Sequence, residues 1–195
     1  MRPQVLERPR NLRLDDEVRF IRTWLEKPLI AGAVTPSSRA LARAMARYVD
    51  PTIRGAVVEL GPGTGPVTDA LLERGVAEER LVLVEYDPGF CQLLRKRFPK
   101  ATVIQGDAYA ARRILHGRQV AAAVSSLPLF TKPLRFRVRL LRDCFLLMRQ
   151  GSPFIQFTYA VVPPIPKSVA SADVHASERI WMNLPPARVW VYRKS

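Results

Sequence analysis

Apolar positions follow two alternating rhythms along most of the chain. Short apolar runs at 55–60, 81–85, 101–105, 120–125 and 153–159, each bounded by turn residues, predict strands. Between them, segments 66–74, 88–98, 108–115 and 133–149 carry apolar residues at helical spacing. Strands that are apolar on both faces and alternate with helices imply right-handed crossovers and a parallel sheet covered on both sides. In helix 133–149, Leu134, Val138, Leu141, Phe145 and Met148 form one face, with Arg135, Arg139 and Arg142 opposite. A proline-rich stretch at 161–166 follows the fifth strand. Two last apolar runs, 179–183 and 187–193, joined at Leu184-Pro185-Pro186, predict an antiparallel pair that brings the sheet to seven strands. The fold class is α/β, Rossmann-like, mostly parallel, with helices on both faces.

Two helices are expected before the first strand. Leu14, Val18, Ile21 and Leu25, widened by Phe20 and Trp24, predict a short amphipathic helix over 15–27, stopped by Pro28. Arg13, Arg19, Arg22 and Lys27 surround its apolar side, as in helices that lie among lipid headgroups. A helix docked on the domain's own core carries the same pattern. A second helix, about 38–48, has Ser37 or Ser38 as N-cap and Leu41, Met45 and Tyr48 or Val49 as its buried stripe; Arg39, Arg43 and Arg47 read as a solvated row. The organisation is thus residues 1–35 as an N-terminal amphipathic membrane-binding or lid segment, and 36–195 as one catalytic domain.

The chemistry begins where the first strand stops, at Val57-Val58-Glu59-Leu60-Gly61-Pro62-Gly63-Thr64-Gly65. Three glycines in five positions allow a tight turn and close approach to a ligand, and Pro66 suits a first helical position. The dinucleotide fingerprint would place a third glycine at position 66, and Glu59 sets a carboxylate at the mouth where a pyrophosphate would sit. A phosphate ligand is therefore disfavoured. S-adenosylmethionine, which carries a sulfonium and an ammonium, suits that carboxylate. Glu85, closing the run Leu81-Val82-Leu83-Val84, stands at the distance where an acidic side chain takes ribose hydroxyls. The remaining strand-end candidates are Asp107, Ser125, Ser126 and Tyr159.

Composition narrows the partners. The 195 residues suit one domain, and no stretch approaches the roughly 20 apolar residues of a membrane span. The N-terminus lacks the apolar core of a secretory signal, and Cys91 and Cys144 stand without neighbours at metal-ligand spacing. A cytoplasmic protein without metal or disulfide is expected. The net charge of +14 seeks polyanions, either nucleic acid or the anionic face of a membrane.

Ser125-Ser126-Leu127-Pro128-Leu129-Phe130 ends the fourth strand. Together with the glycine turn and the acidic loop it resembles motif IV of class I S-adenosylmethionine-dependent methyltransferases that act on nitrogen. With Phe157-Thr158-Tyr159 and Asn183-Leu184-Pro185-Pro186-Ala187-Arg188-Val189-Trp190, the chain from about Ile30 onward is similar to the soluble bacterial phospholipid N-methyltransferases. Their activity is conversion of phosphatidylethanolamine toward phosphatidylcholine. The resemblance implies cofactor contacts from Thr35, Glu59, Gly61, Gly63, Gly65, Glu85, Tyr86, Asp107, Ala108 and Ser125, with Asp107 accepting from the adenine amino group. It implies that Ser125, Ser126, Leu127, Pro128 and Tyr159 align the amine. It further implies membrane attachment through Arg13, Arg19, Phe20, Arg22, Trp24, Leu25 and Lys27, and a place on the inner face of the cytoplasmic membrane. Tyr159 is followed by Ala160 where glycine is expected.

Ribosomal RNA adenine dimethyltransferases share Ala33-Val34-Thr35-Pro36-Ser37 and the glycine turn. Their motif IV, however, carries an aromatic that stacks on a flipped adenine, where this chain has Leu129, and their small RNA-gripping helical domain has no counterpart residues here. A non-catalytic nucleic-acid binder is a third alternative, opposed by the intact Glu59, Gly61, Gly63, Gly65 and Glu85.

Overall fold

A computed structural model describes residues 36–182 and 186–194, with the side chains of 36–38 excepted. The expected helix over 15–27, its seven membrane-binding residues, Thr35 and the stretch 183–185 lie outside the described residues. The elements are α1 (Pro36–Ala46), β1 (Ala56–Leu60), α2 (Pro66–Glu73), β2 (Leu81–Glu85), α3 (Pro88–Arg97), β3 (Thr102–Gln105), α4 (Ala111–Ile114), β4 (Val120–Ser125), α5 (Leu134–Leu147), β5 (Pro153–Thr158), α6 (Lys167–Ala170), β6 (Ala172–Ala176) and β7 (Arg188–Lys194).

One seven-stranded sheet runs β3-β2-β1-β4-β5-β7-β6, with β7 antiparallel to both its neighbours. The order reverses between β1 and β4, which opens a crevice at the carboxyl ends of those strands. Alternation along β1 sends Val57 to one face, among Leu41, Met45, Leu71 and Leu94 of α1 to α3. Val58 and Leu60 go to the other, among Leu141 and Phe145 of α5 and Tyr192 of β7. Leu60, Leu71, Leu81, Leu83 and Leu94 are all fully buried, each contributing roughly 1.5–3 kcal/mol of apolar burial.

The five parallel strands fall where the apolar runs predict them, within a residue at either end. The last pair does not. Among the described residues, 179–182 of that run contribute an isolated bridge, Ile180 to Ala187, and β7 pairs with Ala172–Ala176. Pro186 has no N–H to continue a ladder on that side, whereas Ala172, Val174 and Ala176 alternate toward the core with Asp173 and His175 turned outward. Segment 108–115 is also less regular than expected, a 3-10 turn at Ala108–Ala110 before the short α4. On α5 the buried set is Leu140, Leu141, Cys144 and Phe145, while Leu134 at its start is exposed. The row Arg39, Arg43 and Arg47 is solvated; Arg43 pairs with Glu73 across to α2.

Candidate active site

The turns that leave β1, β3 and β4 are fastened to the strands beside them. Gly61 N–H donates to Val84 O, Gly106 N–H to Glu85 O and Ser126 N–H to Leu60 O, each at 2.9 Å. These bonds prolong the sheet past its strand ends and hold the three turns as one rigid rim. At Gly65 the backbone has φ +88°, and a Cβ there would meet Phe98 Cε2 at 2.7 Å, so the close seating of α2 on α3 requires glycine. At Gly63 (φ +57°) a Cβ would meet nothing within 4 Å. That position borders open space, which leaves its backbone accessible to a ligand.

Glu59 lies elsewhere than at the mouth of this turn. It shares the Val57 face of β1, is completely buried, and accepts the Thr68 hydroxyl of α2 on Oε2 at 2.7 Å. Its Oε1 has no partner among the described residues. Burial pushes its carboxyl up to about 8; the Thr68 bond opposes the shift, and Asp69 and Glu85 add to it. Glu59 thus supports the turn from behind.

Glu85 does stand at the mouth. Its Oε2 accepts Gly63 N–H at 3.0 Å, and its Oε1 accepts Tyr86 N–H at 2.8 Å and Asp87 N–H at 3.0 Å. Three of a carboxylate's roughly four acceptor positions are occupied, and the one left open is on Oε2. Tyr86 beside it is 77% exposed, presenting an aromatic ring at the edge. Asp107 is exposed and caps the 3-10 turn through Tyr109 N–H at 2.9 Å, while Ala108 is buried behind it.

On the other side of the crevice, Ser125 is fully buried, its hydroxyl 3.4 Å from the Leu127 amide. Ser126, Leu127 and Pro128 are half-buried at the rim. The Leu127 carbonyl accepts from Gln156 Nε2 at 3.0 Å. Gln156 also donates to Phe157 O at 2.8 Å, is 1% exposed, and keeps an unpartnered buried Oε1. It was absent from the expected site residues. A polar side chain inside the apolar run of β5 was the available signal. Tyr159, just past β5, is partly buried with its ring edge-on to Phe157 at 5.6 Å.

The rim beyond Tyr159 is apolar and exposed. Because β7 is antiparallel to β5, the end of β6 and the start of β7 both lie at the carboxyl edge, with Ala176 opposite Trp190 and Arg188 opposite Thr158. Val161 and Val162 are each 50% exposed, Trp181 70% and Met182 73%. The Arg179 guanidinium lies 5.8 Å from the Trp181 ring centroid.

Among the described residues no group of His, Cys, Asp and Glu converges as a metal site, and no helix is long and apolar enough to cross a membrane. The acidic Glu85, the open backbone at Gly63 and the exposed Tyr86 fit an uncharged ribose and adenine with a cationic sulfonium, as S-adenosylmethionine provides.

The family model for ribosomal RNA adenine dimethylase matches residues 38–132. An ornithine lipid N-methyltransferase of Singulisphaera acidiphila is 32% identical over 137 residues, covering 67% of this chain and 69% of that protein. A ribosomal RNA small subunit methyltransferase A of Synechococcus is 39% identical over 92 residues, but the match covers only 30% of its length. Among solved structures, the Burkholderia thailandensis 1,6-didemethyltoxoflavin N1-methyltransferase, determined with S-adenosylhomocysteine, superposes over all of this chain and 93% of its own at TM-score 0.65 and 15% identity. The N-methyltransferase NodS of Bradyrhizobium japonicum, also with S-adenosylhomocysteine, covers 93% of this chain and 96% of its own at TM-score 0.63 and 11% identity. The rigid rim and the ornithine lipid enzyme's match across both chains lead to one conclusion: this chain belongs to the S-adenosylmethionine-dependent methyltransferases, in the family that includes the Singulisphaera ornithine lipid N-methyltransferase.

Proposed function

We propose that the protein methylates the primary amine of a membrane aminolipid, with phosphatidylethanolamine, converted toward phosphatidylcholine, as its substrate. The observation that carries this reading is the exposed apolar rim of Val161, Val162, Trp181 and Met182 on the same edge as the Leu127-Pro128 turn. A lipid's acyl chains stay in the bilayer, so the crevice must be brought to the headgroups by a surface of this kind. The basic surface and residues 1–35, with Phe20, Trp24 and Leu25 among Arg13, Arg19, Arg22 and Lys27, serve the same docking on the inner leaflet.

S-adenosylmethionine supplies an activated methyl group, and the chain's own work is alignment. Glu85 and Tyr86 hold the ribose and adenine end, Asp107 meets the adenine amino group, and the Gly61 to Gly65 backbone passes beneath. The Leu127 carbonyl, fixed by Gln156, accepts an N–H of the amine and points its lone pair into the crevice. As an ammonium, with pKa near 10, the amine has no lone pair. The apolar surroundings favour its neutral form, and the hydroxyl of Ser126 or Tyr159 relays to solvent the proton released as the new N–C bond forms and the methyl–sulfur bond breaks.

The ribosomal RNA reading rests on the family model over 38–132. Against it, Leu129 occupies the stacking position and is 1% exposed, and the face of Phe130 is taken by the Arg137 guanidinium at 5.1 Å. Leu129 is thus buried away from a flipped base, and one face of Phe130 is already covered.

Radiolabelled cofactor mixed with phosphatidylethanolamine vesicles, ornithine lipid vesicles or ribosomal RNA decides among these. Label in phosphatidylethanolamine is expected; label in RNA alone refutes the lipid reading. Removing residues 14–27 should abolish lipid methylation, and vesicle binding should weaken with salt, while cofactor binding persists.

A further inference from the structure

A second charged centre stands on the same edge and has no role in the alignment above. Arg137, in the second turn of α5, lays its guanidinium 5.1 Å from the Phe130 ring centroid, and Phe130 is two residues past Pro128. One N–H donates to Pro164 O in the loop after β5. Its Nε is buried with no partner, and no carboxylate among the described residues pairs with it. The Tyr109 hydroxyl is likewise buried and unpartnered, at the turn that follows Asp107. The two groups lie within each other's electrostatic reach: burial lowers Arg137 and raises Tyr109 to about 12. Lys132 adds a second cation, its Nζ 5.6 Å from the Tyr109 ring centroid.

A partly buried guanidinium without a counter-charge is costly, and so is a buried hydroxyl without a partner. Both costs disappear if an oxyanion arrives with the ligand. The guanidinium fork presents paired N–H donors suited to two oxygens of one phosphate or carboxylate, and the phenol can supply another. Arg135 and Arg139 are different. Both are exposed and stack on Phe136, so they form a solvated face.

We propose that Arg137 and Tyr109 form the subsite for the oxyanion of the aminolipid headgroup, placed to hold that group while the amine reaches the Leu127-Pro128 turn. The proposal rests on the aminolipid reading. Two headgroups supply the required chemistry, the phosphodiester of phosphatidylethanolamine and the carboxylate of an amino-acid lipid, each a few bonds from the reacting nitrogen. A simple long-chain alkylamine supplies the amine with no oxyanion.

The test compares the full-length protein with Arg137→Gln, Arg137→Lys and Tyr109→Phe on vesicles doped with phosphatidylethanolamine, ornithine lipid or alkylamine. For the headgroup that the subsite holds, KM should rise about tenfold in Arg137→Gln and about threefold in Tyr109→Phe, with Arg137→Lys recovering part of the loss. Alkylamine methylation and cofactor affinity should stay at the wild-type level. Whichever of the two lipids shows the rise identifies the oxyanion. Equal losses on alkylamine and lipid would make Arg137 a strut between Phe130 and Pro164 and overturn the subsite, as would an unchanged lipid KM in Tyr109→Phe, which removes a single oxygen and keeps the packing. Wild-type protein that methylates ribosomal RNA and no aminolipid overturns the underlying function as well. Wild-type protein that methylates lipid with a KM indifferent to all three variants overturns the subsite alone.

Discussion

Glu59→Gln exchanges a fully buried carboxyl for an amide of the same size and tests whether that site holds a proton at neutral pH. In the fold the group titrates at about 8, against about 4.5 for an unburied carboxyl. Below pH 4.5 it is neutral in both folded and unfolded chains and contributes no pH dependence. Between about 4.5 and 8 the unfolded chain has released the proton and the folded one retains it, so stability falls as pH rises and levels off above 8. At 1.36 kcal/mol per pKa unit, the loss reaches an upper bound of about 5 kcal/mol, a large share of a domain's 5–15 kcal/mol. Glutamine can still accept the Thr68 hydroxyl, but its NH₂ then occupies the position where Oε1 has no partner, at a cost of roughly 1–3 kcal/mol at every pH. The two stability curves therefore cross, near pH 6. The wild type is the more stable protein at pH 5, and the variant is more stable at pH 9 by roughly 2–4 kcal/mol, a Tm difference of about 5–15 °C. Urea and thermal unfolding of the cofactor-free protein from pH 4.5 to 9, followed by circular dichroism, gives the difference curve. A flat difference across pH 5–8 would mean that Glu59 is ionised throughout, and the account of its burial would be wrong.

Glu85→Ala should weaken S-adenosylmethionine binding by one to two decades, about 1.5–3 kcal/mol for a charge-assisted contact, and the lost tie to Gly63 N–H should loosen the turn; calorimetry on the folded variant reads this directly. Gln156→Leu keeps the volume in β5 but releases the Leu127 carbonyl and removes the unpartnered Oε1. We expect kcat to fall about tenfold with cofactor affinity unchanged, and wild-type kcat in this variant would show that Gln156 does not position motif IV.

The parts of this molecule that were legible in the sequence are those set by local chemistry. Unbroken apolar runs located the five parallel strands because a strand buried on both faces tolerates little else, and Gly65-Pro66 located the start of α2 because few residues adopt φ +88° before a helix. Strand β6 escaped because Ala172-Asp173-Val174-His175-Ala176 is short and half-polar, as suits an edge strand with one dry face, and resembles a loop in isolation. The polar residues misread or missed share a different cause. Glu59 sits in Ala56-Val57-Val58-Glu59-Leu60 and Gln156 in Pro153-Phe154-Ile155-Gln156-Phe157-Thr158, each a polar side chain within a strand whose other residues are buried or nearly so. Burial of such a group costs several kcal/mol unless the fold or a ligand supplies a partner, so the interruption itself marks a site. Which site it marks depends on the neighbouring element: Thr68 of α2 for Glu59, and the Leu127 carbonyl for Gln156. Arg137 carries no such mark, because arginine on an amphipathic helix is ordinary until Phe130 and Pro164 fold against it. Its functional character arises from contacts between α5, the motif IV turn and the loop after β5, three segments that no local pattern connects.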